Sequence, residues 1–392
     1  MSHIFVPGSL LLAVFCSMTS LGTPAARAEA DYEQSSYYEN YDAEFVNDDG
    51  QVDLDCCECD PWDDGCHGGH DLKHNRVDTH APAHLFGDHA HKQGQWMVEY
   101  KYMNMYMDGN RTGTRSLTDQ QALDFINTVP PGVPGVNAYM ATPTSMTMEM
   151  HMMHIMYGYT DCITLYVMPM WQVNTMDHLR RNATTFRTTN DGFSDFSFGA
   201  LWKVWENDTD ELIFNIGFSA PTGDIDNLTS IPTGSPTEFP YPMRLGSGTW
   251  DARPGVTFKR YWEYWSGGLQ AQFDLPLGMN DQDYRMGNEY RLNAWVARIL
   301  DCDKKLAVTF RTEALFRSNY VGADPNLNPA MISTADPDMR GGEFINFGYG
   351  AMYLFREGSR LNFEIAHKVY QRLRGVQLEQ DWSLAASWSK SF

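Results

Sequence analysis

After its first thirty residues the chain has no apolar run near the ~20 residues that a membrane-spanning helix requires. Basic residues are scarce too: 29 Lys and Arg stand against 50 Asp and Glu, a formal charge of −21. Phosphate contacts need clustered Lys and Arg, so nucleic acid is excluded as a partner. Catalytic signatures are missing. There is no GxSxG elbow, no HExxH and no Gly-rich phosphate loop. His367 sits on an apolar face beside Phe363 and Ile365 with no serine to activate. The chain is read as a non-enzyme with no catalytic residue.

What is present begins with an apolar run, Leu10 to Phe15, and small residues ending in Ala26-Arg27-Ala28. That is a secretory signal spanning 1–28. Residues 29–64 hold fourteen Asp or Glu and no Lys or Arg. Like charges repel and few large aliphatics offset chain entropy, so 29–92 is expected to be a largely disordered acidic leader rich in Cys and His. From 93 to 392 the pattern changes to alternation. In QWMVEYKYMNMYM (95–107), Trp96, Val98, Tyr100, Tyr102 and Tyr106 fall on one side. Met97, Glu99, Lys101, Met103, Met105 and Met107 fall on the other. A period of two marks a strand. A membrane barrel turns the apolar side to lipid and the charged side to its lumen, whereas a soluble sandwich turns the apolar side to a core.

The connections favour the barrel. Alternation recurs over about twelve strands, near 95–107, 145–159, 162–172, 193–206, 210–220, 253–262, 266–276, 285–300, 304–318, 342–355, 360–371 and 380–392. Short connections (160–161, 207–209, 263–265, 301–303, 356–359) alternate with long ones (108–144, 173–192, 221–252, 277–284, 319–341, 372–379). Short periplasmic turns and long external loops are the rhythm of an up-and-down antiparallel transmembrane β-barrel. Aromatics at 13% suit interfacial girdles. The last strand, DWSLAASWSKSF, ends on Phe392. The expected location is the outer membrane, with outer-membrane lipid and, during insertion, the barrel-assembly machinery as partners.

Several segments resemble a family of outer-membrane transporters named for the meta pathway of phenol degradation. They are GDHAHKQGQWMVEYKYM…MDGNRTGT (87–114), TPTSMTMEMHMMHIMYGYTDCITLYVMPMW (142–171), Met176-Asp177-His178, SAPTGDID (219–226) and YPMRLGSGTWD (241–251). The resemblance implies an outer-membrane β-barrel that moves small molecules. It leaves the solute open.

Three constellations carry candidate chemistry. Fourteen of the 22 methionines lie between Met97 and Met176. Met146, Met148, Met150, Met152 and Met156 share a strand face with His154, and Met103, Met105 and Met107 share one on the preceding strand. Thioethers select Cu(I) and imidazole also suits copper, so Met103, Met105, Met107, Met148, Met150, Met152 and His154 are candidate copper ligands. The alternatives are flexible filler, or a Met face toward lipid with Glu149 and His151 inside. Both faces of 146–156 carry Met and His, so phase does not choose. Second, Cys56, Cys57, Cys59, Cys66, His67 and His70 offer thiolates and imidazoles, but fit no structural zinc spacing and could equally form two disulfides. His84, His89 and His91 are read as capping the periplasmic mouth. Third, Glu99, Lys101, Glu211, Glu289, Arg291, Lys305, Arg311, Glu313, Arg360, Glu364 and Lys368 are expected to face inward, as a selectivity surface or as ion pairs filling a narrow barrel.

The reading is a channel or transporter for a small solute or ion, its lumen related to copper through the Met/His strands. The alternatives are a metal-binding outer-membrane protein without transport, and a structural or surface-interaction barrel.

Overall fold

The computed structural model describes residues 76–125, 138–232 and 236–392. Its strands are β1 (Trp96–Gly113), β2 (Arg115–Leu117), β3 (Ala141–Gly158), β4 (Ile163–Met168), β5 (Met170–Arg180), β6 (Thr185–Phe193), β7 (Phe196–Glu206), β8 (Asp210–Ala220) and β9 (Leu228–Ser230). They continue as β10 (Pro236–Glu238), β11 (Asp251–Tyr261), β12 (Trp265–Pro276), β13 (Tyr284–Arg285), β14 (Glu289–Ile299), β15 (Leu306–Arg317), β16 (Val321–Gly322), β17 (Gly342–Leu354) and β18 (Ser359–Ser391). Among the described residues the helices are short, and the α-helix α1 (Asp119–Leu123) starts on a Thr118–Gln121 capping box. No helix among the described residues is long and apolar enough to cross a membrane. The wall crosses with strands instead.

That wall is a closed antiparallel cylinder. Hydrogen bonding runs β1–β18–β17–β15–β14–β12–β11–β8–β7–β4–β3, and β3 returns to β1. Closure is sealed at the short-turn end, where the Trp96 and Phe392 backbones exchange hydrogen bonds of 2.9 Å in both directions. β18 pairs antiparallel with β17 through Arg360–Leu373 and antiparallel with β1 through Leu373–Ser391. It therefore reverses direction between these stretches. Gly375 takes φ +78° there, and a Cβ on it would clash with Met339. With that reversal the wall makes an even number of passes, which sets β1 antiparallel to the chain's last strand.

Pro169 separates β4 from β5, and Ser194–Asp195 separates β6 from β7. Proline cannot donate to the ladder. The two halves still form one long hairpin, because β4 pairs with β7 and β5 with β6. The connection expected at 173–192 is thus largely strand. Its outer residues, Thr175 and Asp177, are polar, since this part of the hairpin rises beyond the apolar belt. Without an apolar side the period of two loses its contrast.

The sorting of faces is that of a membrane barrel. Phe214, Ile216 and Phe218 are 41%, 50% and 37% exposed on the outside, while Arg311 and Glu364 are 2% and 0% exposed within. Apolar side chains face outward because lipid is their solvent.

Candidate functional site: a lumen with two unlike walls

Inside the short-turn end of the cylinder lies the segment 76–95. Its sequence has no alternation, because it contributes mainly carbonyl groups. The wall contributes the donors. Lys101 Nζ donates to Leu85 O at 3.0 Å, and Gln270 and Gln272 amides donate to Phe86 O at 2.8 and 2.9 Å. Lys259 Nζ donates to Thr79 O at 3.0 Å, Asn362 to Ala81 O at 2.9 Å and Arg360 to Arg76 O at 3.1 Å. His84 N donates to Glu364 Oε2 at 3.0 Å. Ala81 and Leu85 pack on Trp295, which lies over Gly268, where a Cβ would collide with its ring. The segment is a plug bonded to β1, β11, β12 and β18.

The opposite mouth is covered by the connections between strands. Arg244 is their centre: it pairs with Asp324 and with Glu238 at 3.0 Å, and donates to the Tyr284 hydroxyl at 3.1 Å. The Tyr241 hydroxyl accepts from Asp324 N at 3.0 Å. Asp195, at the break between β6 and β7, accepts from Gly223 N at 2.9 Å and Ser247 N at 2.7 Å. Burial raises the Glu238 carboxyl above its ordinary range, and the neighbouring Asp324 carboxylate adds to the shift.

Between plug and lid lies a cavity of about 590 Å³. One wall is methionine. Register places Met107, Met146 and Met176 side by side on β1, β3 and β5; below them come Met105 with Met148, Met103 with Met150, and Met152 with Met170. Directly opposed residues of this kind stand ~4.5–5.5 Å apart at Cβ. His154 continues the inward face of β3. Glu149 and His151 face outward, and the His151 ring accepts or donates at 2.7 Å with the Tyr100 hydroxyl. The even-numbered face of 146–156 is therefore the lumenal one.

The facing wall is charged. Arg291 pairs with Glu289 and, at 2.7 Å, with Asp274, which also meets Arg253 at 2.7 Å. Arg317 closes on Glu289. Arg311 reaches Glu364 at 2.7 Å, Asn293 at 2.9 Å and Glu313 at 3.1 Å. Gly348 lies opposite Arg311, and a Cβ there would collide with the Glu364 carboxylate. Lys368 holds its ammonium 4.8 Å from the Phe344 ring centroid. Seven Arg or Lys and five Asp or Glu line the cavity, so it is net basic although the chain carries −21.

The inward charges divide by height. Glu289, Arg291, Arg311, Glu313 and Lys368 line the cavity. Glu99, Lys101, Glu211, Arg360 and Glu364 lie at the plug, where Glu211 pairs with Lys259 at 3.1 Å and Glu99 faces Lys101 at 3.6 Å. Lys305 is not on the lumen wall. It precedes β15 in a short turn, with its ammonium 3.0 Å from exposed Asp303. Its alternation with Leu306 continues past the end of the strand. Met103, Met105, Met107, Met148, Met150, Met152 and His154 all line the cavity. Cys56, Cys57, Cys59, Cys66, His67 and His70 lie outside the described residues. Arg244 and Tyr241 lie in the segment YPMRLGSGTWD (241–251) that carries the family resemblance, but no spacing in the sequence links them to Glu238, Tyr284 and Asp324.

Comparison with known proteins agrees with this geometry. The COG4313 outer membrane channel from Pseudomonas putida F1 superposes with a TM-score of 0.53 at 14% identity, covering 77% of this chain and 97% of that one. The P. putida toluene transporter TodX gives 0.38 at 10% identity (77% and 91% covered), and the KdgM porin 0.36 at 9% (76% and 99%). No curated protein matches. The family model described as "Putative MetA-pathway of phenol degradation" matches residues 144–379, and the chain belongs to that family of outer-membrane β-barrels.

Proposed function

We propose that the protein passes small aromatic molecules bearing hydroxyl or acidic substituents across the outer membrane. The observation that carries this is the pairing of two unlike walls around one cavity of about 590 Å³. That volume lies within the ~300–1,000 Å³ typical of sites for small ligands. Thioethers contact aromatic rings favourably, by about 0.3–1.5 kcal/mol each, and their flexible stems adapt to different ring shapes. The basic wall supplies partners for a phenolate or carboxylate, with Lys368 best placed: among the described residues no carboxylate lies in ion-pair contact with its ammonium. A phenol has this division of character, which agrees with the family's description. The test is uptake of labelled hydroxybenzoate and of cyclohexanecarboxylate, at micromolar concentration, by cells with and without the protein. Protein-dependent uptake that favours the aromatic acid supports the reading. Equal uptake with and without the protein removes it.

A second reading is favoured by the register of the methionine rows. Three thioethers side by side at Met107, Met146 and Met176 are a soft-ligand set suited to Cu(I). Titration of the purified protein with Cu(I), with and without residues 31–75, separates a lumenal site from one in the leader. Absence of binding at micromolar Cu(I) excludes it.

A further inference from the structure

The connection from β16 to β17 brings two short 3₁₀ turns, Ser333–Ala335 and Pro337–Met339, to the lid side of the cavity. Thr334 and Arg340 line the cavity there and are 2% and 6% exposed. The segment is tied down on both sides. Tyr320 N donates to Pro337 O at 3.1 Å, and Gly341 N donates to Asn319 Oδ1 at 2.7 Å. Arg340 Nη2 donates to Ser333 O at 3.1 Å, which turns the guanidinium back over the two turns. Two donors are left over. Arg340 Nε and the Thr334 hydroxyl are buried and meet no acceptor from the protein. Buried polar atoms are ordinarily bonded to protein, water or a ligand. Charge decides among these. Six arginines line the cavity, and Arg244, Arg253, Arg291, Arg311 and Arg317 each touch an aspartate or glutamate. Among the described residues no carboxylate lies in ion-pair contact with Arg340. A buried charge is costly unless it is paired, and a water bonded to Nε leaves it unpaired.

We infer that Arg340 and Thr334 form a carboxylate-binding subsite under the lid, where an aromatic acid entering the cavity is first held. One carboxylate oxygen accepts from Arg340 Nε and the other from the Thr334 hydroxyl. A carboxylate suits the site better than a phosphate, because it brings two oxygens to two donors and one charge to one guanidinium. Asp336, whose carboxylate accepts from Asp338 N at 2.9 Å in the same pair of turns, disfavours a second negative charge. The Tyr320 ring also lines the cavity and stands edge-on to Tyr241 at 5.1 Å, so an aromatic neighbour is at hand for the ring of the solute. Lys368 and Phe344 repeat this combination of cation and ring. Lys368 lies opposite Asn346, well inside β17, whereas Arg340 precedes the first residue of that strand. Arg340 is thus the upper of two stations and Lys368 the lower. The inference rests on the reading of aromatic acids as the solute and adds the place where they are first recognised.

The experiment measures equilibrium binding of benzoate and of benzyl alcohol to the full chain in detergent. R340Q should weaken benzoate by about tenfold or more, the loss of a charge-assisted hydrogen bond, and leave benzyl alcohol unchanged. T334V keeps the shape of the side chain and should also weaken benzoate selectively. Since it replaces a buried hydroxyl that meets no acceptor, T334V should melt no earlier than the parent in the absence of benzoate. Benzoate should raise the melting temperature of the parent more than that of T334V. Heat-modifiable migration on gels reports whether each barrel is folded, and if R340Q does not fold, T334V decides. Unchanged benzoate affinity in the deciding variant, the result expected of a bound water alone, overturns the subsite and leaves the solute reading standing. Equal weakening of both probes, or a parent that binds no benzoate, also overturns it. Benzoate binding that depends on Arg340, in a protein that supports no uptake, keeps the subsite and removes the transport reading.

Discussion

Glu364 joins the two halves of the lumen, and replacing it by Gln tests how they are coupled. Its carboxylate is fully buried and accepts from Arg311 Nε at 2.7 Å and from His84 N at 3.0 Å. Removing one partner of a buried ion pair costs about 3–5 kcal/mol when the remaining charge is left alone. Arg311 keeps Glu313 at 3.1 Å and Asn293 at 2.9 Å. The loss to the barrel should therefore be nearer ~2 kcal/mol, below that range. At the plug, a charge-assisted hydrogen bond becomes a neutral one, a difference of roughly 1 kcal/mol. Each ~1.4 kcal/mol is tenfold, so plug release should rise about fivefold. Two assays read these effects: the temperature at which the folded band disappears on heat-modifiability gels, and ion conductance in planar bilayers. E364Q should lower the first and raise the second. G348A should do the same from the neighbouring strand, since its added Cβ collides with the Glu364 carboxylate. An E364Q barrel with unaltered melting and unaltered conductance would show that this carboxylate does not hold the plug.

Three further outcomes are expected. R244A should open the lid: it leaves buried Asp324 unpaired, a local penalty of about 3–5 kcal/mol, and should speed protease cleavage within 221–250 without lowering the melting temperature of the wall. M146L/M148L/M150L conserves volume and should cost under ~1.5 kcal/mol per site, yet reduce aromatic preference in uptake and abolish Cu(I) binding in the lumen. K368M should leave folding intact and reduce uptake of aromatic acids more than that of neutral aromatics; equal reduction of both would rule out a role for its charge.

How much of this was legible follows from what each segment has to bury. β1, β8, β12, β15 and the first half of β18 show their alternation in sequence, because lipid on one side and lumen on the other impose opposite chemistries at successive residues. The placement of the methionines needed pairing information. Met and His occupy both faces of 146–156, and only the register of β3 with β1 and β5 puts Met146 to Met152 inside. The plug was not legible as a plug. Its bonds to the wall use its own carbonyls, and any sequence has carbonyls; the specific partners Gln270, Gln272 and Asn362 lie roughly 180 to 280 residues away. The β5–β6 extension was hidden for a different reason. Above the apolar belt both sides of a strand are polar, so 173–192 looked like a loop. The lid depends on Arg244 meeting Asp324 and Glu238 from separate connections, a juxtaposition that no local spacing records.

The account rests most heavily on Met150 facing a solute-bearing cavity while Met153, 40% exposed, faces lipid. In a background with the native cysteines changed to serine, M150C and M153C can be labelled with a water-soluble methanethiosulfonate, with and without hydroxybenzoate. The account predicts that M150C is labelled and that the aromatic acid slows the reaction there, while M153C stays unreactive in either condition. Labelling of M153C in place of M150C, or a rate at M150C indifferent to the solute, would contradict it.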